Sequence, residues 1–165
     1  MNKHDTVTAE YIRQVLHYDP QTGEFVWKQH SWRPDLIGKK AGSGQSAGYW
    51  AIAIHNRKIL AHRLAWLYMT GGWPEKHIDH IDGNKRNNRF DNLRDVSRFA
   101  NLQNMRNATK ANACGYLGVC RHGNKWIMQI MANGVRHRQG GFSTPEEAHQ
   151  AYLEIKRKLH GGCTI

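Results

Sequence analysis

No stretch of this chain stays apolar for long. Its longest such runs, residues 52–54 and 64–69, fall far short of the roughly 20 residues that a membrane-crossing helix needs. The opening residues, MNKHDTVT, carry no apolar stretch of the signal-peptide kind, so a cytoplasmic location is expected. Cysteine is scarce: Cys114, Cys120 and Cys163 are odd in number and form no C-x-x-C pair. That argues against a disulfide framework and a four-cysteine zinc site, and leaves reduced thiols. Acidic residues are also in short supply. Only 13 Asp and Glu stand against 24 Lys and Arg, a net charge of +11 that suits a polyanionic partner. The excess is spread out: +4 over residues 1–76, +3 over 77–111 and +4 over 112–165.

With 165 residues the chain can hold one domain or two to three small modules. Thr8 is a candidate N-cap with Glu10 in the first turn behind it, and Ile12, Val15 and Leu16 recur on one helix face. Residues 18–23 (YDPQTG) end that helix and turn the chain, and the alternation over Glu24–Lys28 predicts a strand. Residues 29–48, rich in Gly, Ser, Pro and basic side chains, read as a loop. Their glycines lack the spacing of a nucleotide-binding phosphate loop. Two apolar runs, 49–54 and 58–61, flank His55-Asn56-Arg57 as a hairpin, and a helix follows from His62 to Met69, stopped by Gly71-Gly72-Trp73-Pro74. Arg63, at the start of that helix, is a candidate phosphate contact.

The stretch that organises the rest is residues 77–101, HIDHIDGNKRNNRFDNLRDVSRFAN. Asp79 and His80 stand side by side between two isoleucines. An Asp-Gly-Asn turn follows, and Asn92 and Asn101 come 12 and 21 residues beyond His80. Hydrolysis of a phosphodiester needs charge neutralisation at phosphorus, a base for water and stabilisation of the leaving oxygen. Asp79 and the Asn101 side-chain carbonyl are hard oxygen ligands suited to one divalent cation, Mg²⁺ with Mn²⁺ as the alternative. His80, with an ordinary pKa near ~6.5, can take a proton from water at neutral pH, and an Asn92 carbonyl would fix its tautomer. On an ideal strand Asp79 and His80 point to opposite faces, so their convergence requires the strand to end or bulge there.

The run IDHIDGNKRNNRFDNLR resembles the HNH endonucleases, in particular the phage and intron-encoded homing type. The resemblance implies a two-stranded hairpin followed by a helix around a metal, the ββα-metal core. It implies Asp79 and Asn101 as metal ligands, with Asn104 as the alternative to Asn101. His80 falls at the general base, Asn92 at the residue that orients it, and Asn88 at a turn-stabilising position. The family's Trp and Pro near the second strand are replaced here by Asp95 and Arg98.

After a polar segment in which Arg106 and Lys110 can track a DNA backbone, three strands are predicted over 116–121, 125–131 and 135–139. Asn133-Gly134 is a type I′ hairpin signal. Thr144-Pro145-Glu146-Glu147 starts a helix as N-cap, N1 proline and capping box; Ala148, Ala151, Tyr152, Ile155 and Leu159 form its apolar stripe. Lys156-Arg157-Lys158 reads as a solvated face near the helix end. Gly115 to Gly162 resembles the Apetala/ethylene-response-factor type of DNA-binding domain through GYLGV, NKW, NGVRHR and GGFSTPEEAHQAY. Several positions that contact bases in the plant domains fall here on Leu117, Cys120 and Met131, so the base preference does not carry over. The open sheet face is expected to present Arg121, Lys125, Trp126, Arg136 and Arg138 to DNA.

The expectation is therefore an α+β protein: an N-terminal α+β region (1–60), an HNH nuclease core (61–106), a linker (107–113) and a DNA-binding domain (114–163). Its function would be metal-dependent cleavage of double-stranded DNA as a site-specific phage or mobile-element homing nuclease. A monomer would nick and a homodimer would break both strands. The rivals are a non-catalytic DNA-binding regulator and a restriction-type HNH nuclease.

Overall fold

The computed structural model describes residues 7–103, 108 and 112–160. Asn104, Arg106, Lys110, Cys163 and most of the expected linker lie outside the described residues. The chain divides into two units, Met1–Ser97 and Arg98–Ile165.

The first unit begins with helix α1 (Ala9–Val15), whose N-cap Thr8 accepts from the Tyr11 amide as expected. The helix stops one residue earlier than its apolar spacing suggests, because Leu16 turns extended. Residues Leu16–Asp19 form strand β1, paired antiparallel with β2 (Glu24–Trp27). Leu16 and Tyr18 bury on one face of that strand while His17 stays exposed, a period of two that begins where the helical period ends.

The segment expected as a loop is stitched to β2. The Lys39 carbonyl accepts from the Trp27 amide, the Gly38 amide donates to the Trp27 carbonyl, and the Ala41 amide donates to the Phe25 carbonyl. It continues through a short 3₁₀ turn at Pro34–Leu36 into β3 (Ser43–Gly44), which joins β4 (Trp50–Ile54) and β5 (Arg57–Leu60) in a three-stranded sheet. The β4–β5 turn uses His55 and Asn56, both at positive φ, as a type I′ connection requires.

Helix α2 (Ala61–Thr70) follows directly and ends on Gly71 in the left-handed conformation. Then comes a hairpin of β6 (His77–His80) and β7 (Leu93–Val96), His77 opposite Val96 through His80 opposite Leu93 with no break in register. Asp95 accepts from the Glu75 and Lys76 amides and fixes the chain just ahead of β6. One hydrophobic cluster runs through all of these elements, from Val7 and Ile12 through Phe25, Ile52 and Leu64 to Ile78 and Leu93.

The second unit holds α3 (Arg98–Gln103) and the antiparallel sheet of β8 (Val119–His122), β9 (Lys125–Ala132) and β10 (Val135–Phe142), in the order β10-β9-β8. Helix α4 (Pro145–Leu159) packs on it, with Val119, Met128, Ile130, Ala148 and Tyr152 as the buried centre. Thr144 caps α4 by accepting from the Glu147 amide. Glu147 reaches back one residue further than a capping box predicts, to the Ser143 amide. Gly118 allows Tyr152 its place: a Cβ there would stand 2.1 Å from the ring.

Two expectations change in this unit. Arg121 pairs with Trp126, and Trp126 packs against the helix-side cluster, so the register puts both on the covered face; only Lys125, Arg136 and Arg138 lie on the open one. Lys156 is 1% exposed rather than solvated, its ammonium 5.7 Å from the centre of the Tyr152 ring. The aliphatic stem of lysine fits an apolar helix–sheet seam, which the charge alone conceals.

Candidate active site

The β6–β7 hairpin is a short, regular pairing whose first strand ends at His80. Asp79 and His80 are both buried, at 7% and 4% exposure. The strand therefore ends without a bulge, and the two side chains find different partners. Arg94, directly across the ladder from Asp79, donates to its Oδ2 from Nε at 2.9 Å and Nη2 at 2.7 Å. His80 packs into a cluster of rings. His62 of α2 meets it edge to face at 5.0 Å and 88°, and Tyr49 lies 5.3 Å from His62 and 6.2 Å from His80. Lys85 sits 4.8 Å over the Tyr49 ring and donates to the Ala47 carbonyl, which ties the turn after β6 to the segment before β4.

The two loop asparagines exchange the parts expected of them. Asn88 Oδ1 lies 3.2 Å from His80 Nε2, so it is Asn88, and not Asn92, whose side chain meets the imidazole. Asn92 locks the loop instead. Its Oδ1 accepts from the Asp82 amide, and its Nδ2 donates to Asp82 Oδ1 and to the Asn87 carbonyl. Asp82 would be pushed up by burial, but hydrogen bonds from Asn87, the Asn84 amide and Asn92 outweigh this and hold its carboxyl below the ordinary range. Spacing alone cannot tell which of two amides in a twelve-residue connection faces the ring.

Asn88 is also held from outside the hairpin. The Tyr18 hydroxyl donates to its backbone carbonyl at 2.6 Å, and the β1–β2 turn at Gly23 lies directly against its backbone. Sequence reasoning missed Tyr18, Tyr49, His62 and Arg94 as neighbours of the site. Each comes from a distant segment, or reads as an ordinary core or charged residue. Arg63, the candidate phosphate contact, is half-buried with its guanidinium 5.8 Å from the Trp73 ring centre.

Burial lowers the His80 pKa from its ordinary value, with the Asn88 hydrogen bond and the Asp82 and Asp79 charges opposing. The imidazole is thus kept neutral near pH 7, the state a base requires. Burial pushes His62 further, to about 3, helped by His80 and Arg63, and its Nδ1 has no hydrogen-bond partner among the described residues. The sign of the resulting pH dependence follows. Unfolded His62 titrates near ~6.5 and the folded group does not, so the stability present above that pH is lost as pH falls toward 3. His62→Phe is expected to flatten that acid-side decline in melting temperature, measured by calorimetry from pH 7 to pH 4. An unchanged decline would place the acid sensitivity elsewhere.

Asn101 lies half-buried on α3, in the second unit. Among the described residues no three His, Cys, Asp or Glu side chains converge as a metal cluster. The local donor set is one buried carboxylate beside an arginine, which fits a cation held largely by water and substrate oxygens and not a closed protein cage.

Residues 60–103 match the HNH endonuclease family, a span that covers α2, the hairpin and α3. Over 106 residues the chain is 31% identical to an uncharacterized HNH endonuclease, L560, of Acanthamoeba polyphaga mimivirus, covering 63% of this chain and 54% of that protein. Over 103 residues it is 32% identical to Protein 3.8 of Escherichia phage T7, covering 61% of this chain and 84% of that protein. Residues 60–103 thus form a domain of the HNH endonuclease family. The match spans little more than half the length of the mimivirus relative, and no solved structure matches the chain. The match supports the expected enzyme class, a nuclease of the hydrolase kind. No helix among the described residues is long and apolar enough to cross a membrane.

Proposed function

We propose that this protein is a metal-dependent endonuclease acting on double-stranded DNA, of the site-specific phage or mobile-element homing type. The observation that carries this is the buried His80 imidazole, held by Asn88 at one nitrogen and preceded in the strand by the buried Asp79. In the tautomer where Nε2–H donates to Asn88 Oδ1, the basic lone pair sits on Nδ1 and takes the proton of the attacking water. Asp79 would be a ligand of the divalent cation, Mg²⁺ or Mn²⁺, which when bound would neutralise the phosphate and stabilise the leaving oxygen. Asn92 keeps the intervening loop closed, and Asn88 fixes the imidazole.

The second unit would supply DNA affinity as a sheet domain of the Apetala/ethylene-response-factor type. Its open face carries Arg136 opposite Met131 and Arg138 opposite Gln129, both arginines exposed. Replacing both by alanine is expected to weaken duplex binding by about ten-fold or more, and to lessen its salt dependence, without changing metal affinity. Unchanged DNA affinity in the double variant would remove the sheet face from the interface.

Incubation of supercoiled plasmid with the intact chain tests the main reading. Mg²⁺ or Mn²⁺ should convert it to the open-circular form, with 5′-phosphate and 3′-hydroxyl ends, and chelation should stop the conversion. The Asp79–Arg94 ion pair favours one second reading, a DNA-binding regulator without catalysis, because it already neutralises the carboxylate. That reading predicts tight duplex binding and no conversion at any metal concentration.

A further inference from the structure

Away from His80, the first unit contains a cleft of about 600 Å³ between α1, the segment after β2 and the β4–β5 turn. Its floor is apolar, formed in part by Trp27 and Ile54, which are 8% and 3% exposed. Aromatic rings stand on both sides. Tyr11 and His55 pair at 4.6 Å on one, and His30 packs edge-on to Trp27 at 4.7 Å toward the other. Trp32 lines the same cleft and is 89% exposed. An indole left almost wholly in water beside a slot is an anchor awaiting a partner, since a buried tryptophan removes some ~200 Å² from solvent.

The lining also limits what can enter. No Asp, Glu, Lys or Arg lines the cleft among the described residues, so neither a phosphate nor an ammonium group is matched. Beside the Ser31 hydroxyl and the His30 and His55 rings, the polar groups are the side-chain amides of Gln14, Gln29 and Asn56, each able to donate and to accept. Flat rings with amide edges between them suit a neutral, planar, hydrogen-bonding heterocycle.

We propose that this cleft receives a nucleobase displaced from the stack of the DNA on which the protein acts. The inference rests on the DNA reading above and adds a second point of contact to it. Tyr49, packed near His80, is followed by β4, and His55 lies six residues on. At ~3.3 Å per residue that is about 20 Å along the strand, the length of roughly six base steps at ~3.4 Å. The captured base therefore belongs several nucleotides from the cut and not at it. Stacking on Trp32 would provide the affinity, and the amides a preference among bases.

The test uses the metal-free intact chain and two duplexes identical except that one carries a single bulged 2-aminopurine. The bulged duplex is expected to bind on the order of ten-fold tighter, with its 2-aminopurine fluorescence quenched on binding. Trp32→Ala, a surface change that spares the core, should make the two affinities equal and abolish the quenching. If wild type shows no preference for the bulge, or if Trp32→Ala keeps both the preference and the quenching, the inference is overturned while duplex binding survives. If wild type binds neither duplex, the DNA reading itself falls, and this inference with it.

Discussion

His80→Ala should lower plasmid nicking by about 10²–10⁴-fold, the usual contribution of a positioned general base, while affinity for duplex DNA stays near that of wild type. The imidazole is 4% exposed and touches protein on several sides, so it acts on bound substrate and contributes little to holding it. Removing a buried ring leaves a cavity and some loss of stability, so nicking must be compared at a temperature where both proteins are folded. His80→Gln is the control for volume. It fills the space without an imidazole, and should remain as inactive as the alanine variant. Nicking at the wild-type rate in both would sink the assignment of His80 as base and leave the hairpin a structural element.

Gly23→Ala should be among the most damaging single methyl additions in the first unit. Gly23 has φ of +74°, which costs an alanine roughly 1–2 kcal/mol by itself. A Cβ there would also stand 2.4 Å from the Asn88 carbonyl carbon and 2.5 Å from the Arg89 nitrogen. Those are backbone atoms, so no side chain can swing away; either the turn or the Asn88 segment must move. The expected result is a loss of about 3 kcal/mol or more in unfolding free energy, together with a fall in nicking rate per folded molecule as Asn88 shifts from His80. Tyr18→Phe is the graded comparison: it removes only the hydroxyl's bond to the Asn88 carbonyl and should cost about 1 kcal/mol. A Gly23→Ala protein that melts and nicks like wild type would show that the β1–β2 turn is not a brace for the site.

The local signals were legible in the sequence where one segment decides the outcome. Thr8 caps its helix, Asn133-Gly134 turns its hairpin with both residues at positive φ, and Asp79 and His80 close the first strand of a two-stranded ladder. Misreadings fall where two segments decide together. Leu16 continues a helical spacing, yet pairs with Trp27 as a strand, because β2 offers a ladder that the next helical turn does not. Arg121 and Trp126 look like a pair on the open face until the register with Met128 and Val119 puts them on the α4 side, where Trp126 is half-buried and Arg121 stays exposed. Asn88 and Asn92 are interchangeable on spacing, and only the fold of the connection shows which amide meets the ring. His62 and Tyr49 precede His80 by 18 and 31 residues, too far for local spacing to mark them.

The single core running from Val7 to Leu93 sets where this protein can be divided. The span that matches the family starts at residue 60, yet a graft cut there would leave behind the tyrosine and the glycine turn that hold Asn88 against the His80 imidazole. Exchange of the C-terminal sheet and its helix between such proteins therefore belongs after Gln103, where the family-matched span ends. A chimera joined upstream of α2 would inherit the motif without the scaffold that shapes it.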